Sequence, residues 1–164
     1  MKKLLVVLLS LMALLCVSAM AENVDAFSSA SVADYYAATA LTGDDLMNAI
    51  NSQSGTYLIS TTNPDGSPNT AYFIFGMLKV EDKYYVQLGL AENQSKANLL
   101  ANGEGLAIYA ANPSTEEGAK AYTVSGARVR FATIADQAVA DKLNAEAARP
   151  GALFYEVVEV RPLG

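Results

Sequence analysis

From Gly55 onward the chain is written in short apolar runs separated by turn residues. Tyr57-Leu58-Ile59-Ser60-Thr61-Thr62 and Thr70-Ala71-Tyr72-Phe73-Ile74-Phe75 are rich in the aromatic and β-branched types that fit a pleated surface. Between them lies Asn63-Pro64-Asp65-Gly66: Pro64 sets φ, the Asp65 carboxylate can bond its own backbone, and Gly66 accepts a positive φ. The pattern predicts a hairpin with a first strand from about Thr56 to Thr62 and a second from Asn69 to Val80, bulged or bent at Gly76. Glu81-Asp82 makes the next turn. Further strands follow from Lys83 to Leu90, Leu106 to Ala110, Ala121 to Thr133 and Phe154 to Val160.

Helical spacing occurs in three places. Thr42 can cap a first turn that carries Asp44 and Asp45 at the positive end of the helix dipole, with Leu46, Met47 and Ile50 on the buried side. A second helix runs from about Ser95 to Ala101 and ends at Asn102-Gly103. A third, Asp136 to Ala148, carries Val139, Leu143 and Ala147 and stops at Arg149-Pro150-Gly151. Strands joined by short turns, with helices inserted between hairpins, point to a mostly β fold with flanking helices: an antiparallel barrel of six strands. Closure hides the edges that such apolar strands would otherwise expose.

The first residues read as a processing signal. Lys2 and Lys3 precede an apolar run from Leu4 to Val17 that ends at Ala19-Met20-Ala21. The run falls short of the ~20 residues of a spanning helix, so cleavage after Ala21 is expected. Residues 1–21 are then a signal peptide, 22–40 a small and polar leader, and 41–164 one domain, secreted or periplasmic and free of membrane insertion once the signal is removed. The single cysteine, Cys16, lies inside the signal without the small neighbour that lipidation wants. The chain has no histidine, which removes an imidazole base, a His-ligated zinc and an axial-His haem. Its net charge of −6, more acidic after loss of Lys2 and Lys3, argues against nucleic acid as a partner.

The order Gly55-x-Tyr57-Leu58-x-Ser60-Thr61, Asp65-Gly66-Ser67-Pro68, Ser95-Lys96-Ala97-Asn98-Leu99 and Tyr122-x-Val124-x-Gly126 resembles the pyridoxamine 5′-phosphate oxidase-like family of FMN-binding split barrels. The likeness covers about Leu41 to Leu163 and rests on order and spacing. It implies a six-stranded antiparallel split β-barrel, a homodimer, and FMN in a groove between the subunits. By position, Ser60 and Thr61 would lie along the flavin and its ribityl chain, Tyr72 and Phe73 beside the isoalloxazine ring, and Ser95 and Lys96 at the phosphate. The last assignment has independent physical support, because a helix N-terminus with free N–H groups, a hydroxyl and a lysine suits an anion.

The family's oxidase carries arginines where this chain has Ala71 and Ser95. Losing two guanidinium groups removes bidentate phosphate contacts. Weakly bound FMN, a related cofactor such as a deazaflavin, or a pocket without cofactor are the resulting alternatives; oxidation of pyridoxamine phosphate itself is not expected. Arg128 and Arg130 share a strand face and could reach an anion or simply pair with carboxylates. Two functions follow from the resemblance. One is an exported FMN-dependent oxidoreductase of unknown substrate and electron donor, in which the flavin carries the redox chemistry. The other is a non-catalytic module holding a flavin or another ligand.

Overall fold

The hairpin turn forms as its residues dictate. Gly66 N–H donates to Asn63 O, Asn63 N–H to Ser67 O, and the Asp65 carboxylate accepts from Ser67 N–H and Oγ, with Gly66 at φ 82°. The computed structural model describes residues 36–112, 124–147 and 150–164. The signal peptide, residues 22–35 of the leader, loop residues 113–118, strand positions 121–123 and Ala148 lie outside the described residues.

Among the described residues, seven strands form one antiparallel sheet: β1 (Thr56–Thr62), β2 (Pro68–Tyr72), β3 (Gly76–Val80), β4 (Lys83–Leu88), β5 (Glu104–Ala110), β6 (Gly126–Ala132) and β7 (Leu153–Arg161). Their order is β2-β1-β5-β6-β7-β4-β3. The expected six-stranded closed barrel is corrected on both counts. The predicted second strand divides at Phe73–Phe75 into β2, an edge strand paired with β1, and β3, the opposite edge strand paired with β4. The two edge strands share no ladder. They are nevertheless successive in sequence, and Tyr72 to Gly76 can span at most about 14 Å. A flat sheet of this order would hold them about 29 Å apart. The sheet must therefore roll up, leaving a split where β2 passes into β3.

Inside the roll, large side chains face small ones across the register. Tyr109 is opposite Ala127, Ala107 lies between Ile59 and Val129, and Gly105 is opposite Phe131. A Cβ on Gly105 would stand 2.7 Å from Phe131 Cζ, so the ring occupies the space that glycine leaves. Phe75 meets Tyr57 edge to face and Tyr109 meets it tilted, at ring separations of 5.4 and 5.1 Å.

Three helices cap the roll: α1 (Gly43–Asn51), α2 (Gln94–Asn102) and α3 (Gln137–Ala145). In α1, Leu46 and Ile50 are fully buried, each burial contributing about 1.5–3 kcal/mol. The Tyr57 hydroxyl donates to Ile50 O at 2.7 Å, a last-turn carbonyl that also accepts from Gln53 N–H just past the helix. Thr42 occupies the N-cap position as expected, but its side chain makes no capping bond. In α2 the cap is Asn93, two residues before the expected start, with Oδ1 accepting from Lys96 N–H at 2.9 Å. In α3, Asp136 caps through Ala138 and Val139 N–H, and Leu143 packs with Tyr85 and Ile134 in a second core. Tyr85 and its neighbour Val86 are both buried, in different cores, so β4 is covered on both faces.

Candidate functional site

The β1–β2 hairpin has two faces, and they divide four of the six residues singled out by sequence. Thr61 points inward and is buried; its Oγ1 accepts from Asn98 Nδ2 at 3.0 Å and Asn69 Nδ2 at 3.1 Å. The same Asn69 amide donates to Ser95 Oγ at 2.9 Å, so Thr61 and Ser95 meet through one carboxamide. Asn98 Nδ2 also donates to Asn63 Oδ1, and its own Oδ1 accepts from Gln94. This buried amide cluster fastens α2 across the end of the hairpin. Phe73 is half-buried and packs against the main core, its N–H donating to Tyr57 O.

Ser60 and Tyr72 lie on the other face. Ser60 Oγ and Thr70 Oγ1 are 2.7 Å apart on cross-strand partners. Tyr72 is 62% exposed, and Ile74, two residues on along the same side, is 48% exposed. Thus Leu58, Ser60, Thr70, Tyr72 and Ile74 make a stripe that carries the Ser60 and Thr70 hydroxyls and the Tyr72 phenol between apolar ends. Lys96 is half-buried and pairs one helical turn back with Glu92, which is exposed.

Ile74 continues this stripe into a pocket that sequence reasoning missed. It has a volume of about 550 Å³ and is walled by α1 (Ile50, Asn51) with Gln53 after it, the β2–β3 link and β3 (Ile74 to Met77), β4 with Gly89 beyond it (Gln87), and Ala152 before β7. These walls come from four separated stretches of chain, so no local motif announces them. None of the lining residues is ionisable; their polar side chains are the carboxamides of Asn51, Gln53 and Gln87. Asn51 is engaged with the backbone: its Nδ2 donates to Met77 O at 2.7 Å and its Oδ1 accepts from Met77 N–H at 2.9 Å. The neighbouring tyrosines stay neutral, since burial pushes the Tyr57 and Tyr109 phenols up from their ordinary value.

Arg130 pairs with Glu104 at 2.9 Å and Arg128 Nε donates to Pro162 O, which accounts for both without an anionic ligand. Among the described residues no cluster of three acidic, histidine or cysteine side chains could hold a metal.

Measured against a flavin nucleotide, the parts fit unequally. An uncharged pocket with carboxamide donors and acceptors suits a planar heterocycle with an amide-like edge. The Ser60–Thr70 hydroxyl pair suits a polyol chain. The phosphate end fits poorly: Asn93 fills the cap, Ser95 is buried and bonded to Asn69, and Lys96 is paired with a carboxylate.

No protein-family model matches the sequence, and no curated protein matches it. Among solved structures, the chain resembles an FMN-binding protein from Syntrophomonas wolfei subsp. wolfei at 17% identity, over 73% of this chain and 84% of that one, with a TM-score of 0.51. A candidate pyridoxamine 5′-phosphate oxidase from Lactobacillus delbrueckii matches at 17% identity over 73% and 93%, TM-score 0.49. HupZ of Group A Streptococcus matches at 16% identity over 75% and 94%, TM-score 0.48. At such identities the likeness is one of fold. A sheet rolled about a split, with its edge strands joined by three residues, is accordingly the pyridoxamine 5′-phosphate oxidase-like split-barrel fold.

Proposed function

We propose that this chain is an exported flavin-binding protein, with the ring at the pocket entered past Tyr72 and Ile74 and the polyol chain beside Ser60 and Thr70. One observation carries the reading: an uncharged pocket of about 550 Å³ opens on Ile74 to Met77, directly after the Tyr72-Phe73 stretch that the resemblance sets beside a flavin ring. Thr61, Phe73 and Ser95 support that strand and the start of α2 from behind, and Lys96 stands at the end where a phosphate would lie. A bound flavin supplies the electron-accepting and electron-donating chemistry. The chain's own residues bind and orient the ring and keep charged groups away from it.

The signal-like N-terminus supports export, testable by sequencing the mature protein, whose expected first residue is Glu22. Exposed Tyr72 and Ile74 support a homodimer that covers the groove, as the resemblance implies. A second reading, a flavin carrier without turnover, is favoured by the neutralised Lys96, because weak hold on a phosphate suits reversible binding.

The pocket itself is tested by Gly76→Leu. A Cβ on Gly76 meets Asn51 Oδ1 at 3.5 Å and Gln87 Oε1 at 3.7 Å, ordinary contact distances, so the added side chain enters the pocket rather than the core. The variant is expected to fold with an unchanged circular dichroism spectrum and to lose flavin binding. A folded variant that binds flavin as the parent does would refute the site.

A further inference from the structure

The phosphate end of the groove is electrically cancelled. Lys96 is the lysine at the start of α2, and its Nζ is hydrogen-bonded to Glu92 Oε1 one turn back. The pair has no net charge. A phosphate approaching Lys96 also meets the Glu92 carboxylate, and like charges a few ångströms apart repel about as strongly as unlike ones attract. Ala71 and Ser95 occupy the two positions where arginines were expected from the resemblance, so those two guanidinium groups do not compensate. Lys79, Lys83, Arg130 and Arg161 are likewise each paired with a carboxylate, so none lends unbalanced positive charge. Two polar side chains at the start of α2 are also committed. Asn93 Oδ1 holds Lys96 N–H, and Ser95 Oγ is buried against Asn69 Nδ2.

The ring end is complete by contrast. Its pocket joins apolar walls from Ile50, Phe75 and Met77 to the Gln53 and Gln87 carboxamides, which can both donate to and accept from a heterocyclic amide or imide edge. The Ser60–Thr70 hydroxyl pair offers the same two-way bonding to sugar-alcohol hydroxyls. From this contrast we infer that the protein recognises its ligand by ring and polyol and is indifferent to the phosphate, so that unphosphorylated riboflavin is bound as well as FMN. The inference rests on the flavin-binding reading. It extends the ligand class to flavins with or without a phosphate and assigns Glu92 the role of cancelling Lys96.

The test is a pair of titrations of the full-length mature protein with riboflavin and with FMN, followed by flavin fluorescence at low and at physiological salt. The two dissociation constants are expected to agree within about threefold, with little dependence on salt. The Glu92→Ala variant exposes Lys96 as a free cation. It is expected to bind FMN about fivefold more tightly relative to riboflavin, the size of one screened charge interaction, with the gain fading as salt rises. FMN binding the parent protein ten or more times more tightly than riboflavin would overturn the inference while leaving flavin binding intact. An unchanged FMN-to-riboflavin ratio in Glu92→Ala would overturn the role of Glu92. Binding of neither flavin would overturn this inference together with the proposed function.

Discussion

The Asn51 carboxamide takes the place of a missing strand. Met77 lies on β3, an edge of the sheet, and Asn51 bonds both its N–H and its C=O in the way a ladder neighbour would. Asn51→Ala leaves both backbone groups without that partner and is expected to cost about 1–3 kcal/mol in urea unfolding, with flavin affinity falling alongside because the same residue walls the pocket. An unchanged midpoint would mean that water replaces the amide without loss. Gly126 is constrained differently. A Cβ there would stand 2.2 Å from Tyr109 O and 3.1 Å from Ala110 Cα, while Leu41 N–H donates to Gly126 O on the same residue. Gly126→Ala must push backbones apart and is expected to destabilise by about 3 kcal/mol or more, read as a lowered thermal midpoint. An isolated glycine in a strand marks either a close approach or a bend, so Gly126 stands out in the sequence without saying which. The role of Asn51 was not legible, because an asparagine ending a helix carries no sign of the strand it will meet 26 residues later.

At the scale of elements, α2 is tied to the hairpin by amides. Asn98 bridges Thr61 and Asn63 and is itself oriented by Gln94, while Asn102 donates to Thr62 O. Asn98→Ala strips partners from three side chains at once, one of them buried. A loss of about 2–3 kcal/mol is expected, with amide hydrogen exchange rising in α2 first; uniform exchange across the molecule would show instead that α2 does not unfold separately. The helices and the first hairpin could be read from capping residues, turn chemistry and period, all of which are local. The break at Phe73–Phe75 could not. Residues 69–80 are suitable for a strand throughout, and only the rolled sheet decides that the first part pairs with β1 and the last with β4. Of the site, sequence marked the hairpin and the α2 start. It missed the pocket, whose walls are assembled from distant segments, and it grouped Tyr72 with Phe73 although alternation turns them to opposite faces.

For the whole molecule, the absence of histidine sets the response to pH. Tyr84 and Lys79 bonded to Asp44, and Ser67 bonded to Asp65, hold those carboxyls below their ordinary 3.8. Their contribution to stability is present above that value and lost as the pH falls through the lowered folded values. Burial raises Tyr57, Tyr85, Tyr109 and Tyr155 above 10.0, so their contribution is present below pH 10.0 and lost as the pH rises through the raised values. Stability is therefore expected to be flat from about pH 5 to pH 9, with acid and alkaline limbs outside that window. Thermal midpoints measured across the range test this; a step near pH 6.5 would contradict it. Flavin affinity is expected to stay level over the same window, because no ionisable side chain lines the pocket.

The measurement that bears most directly on flavin binding is the visible absorbance spectrum of the purified mature protein after incubation with flavin and desalting. Retained near-ultraviolet and blue flavin bands in the parent, absent from an equally folded Gly76→Leu variant, are the predicted result. A colourless parent protein after the same treatment would contradict the account and leave the split barrel as a scaffold for some other ligand.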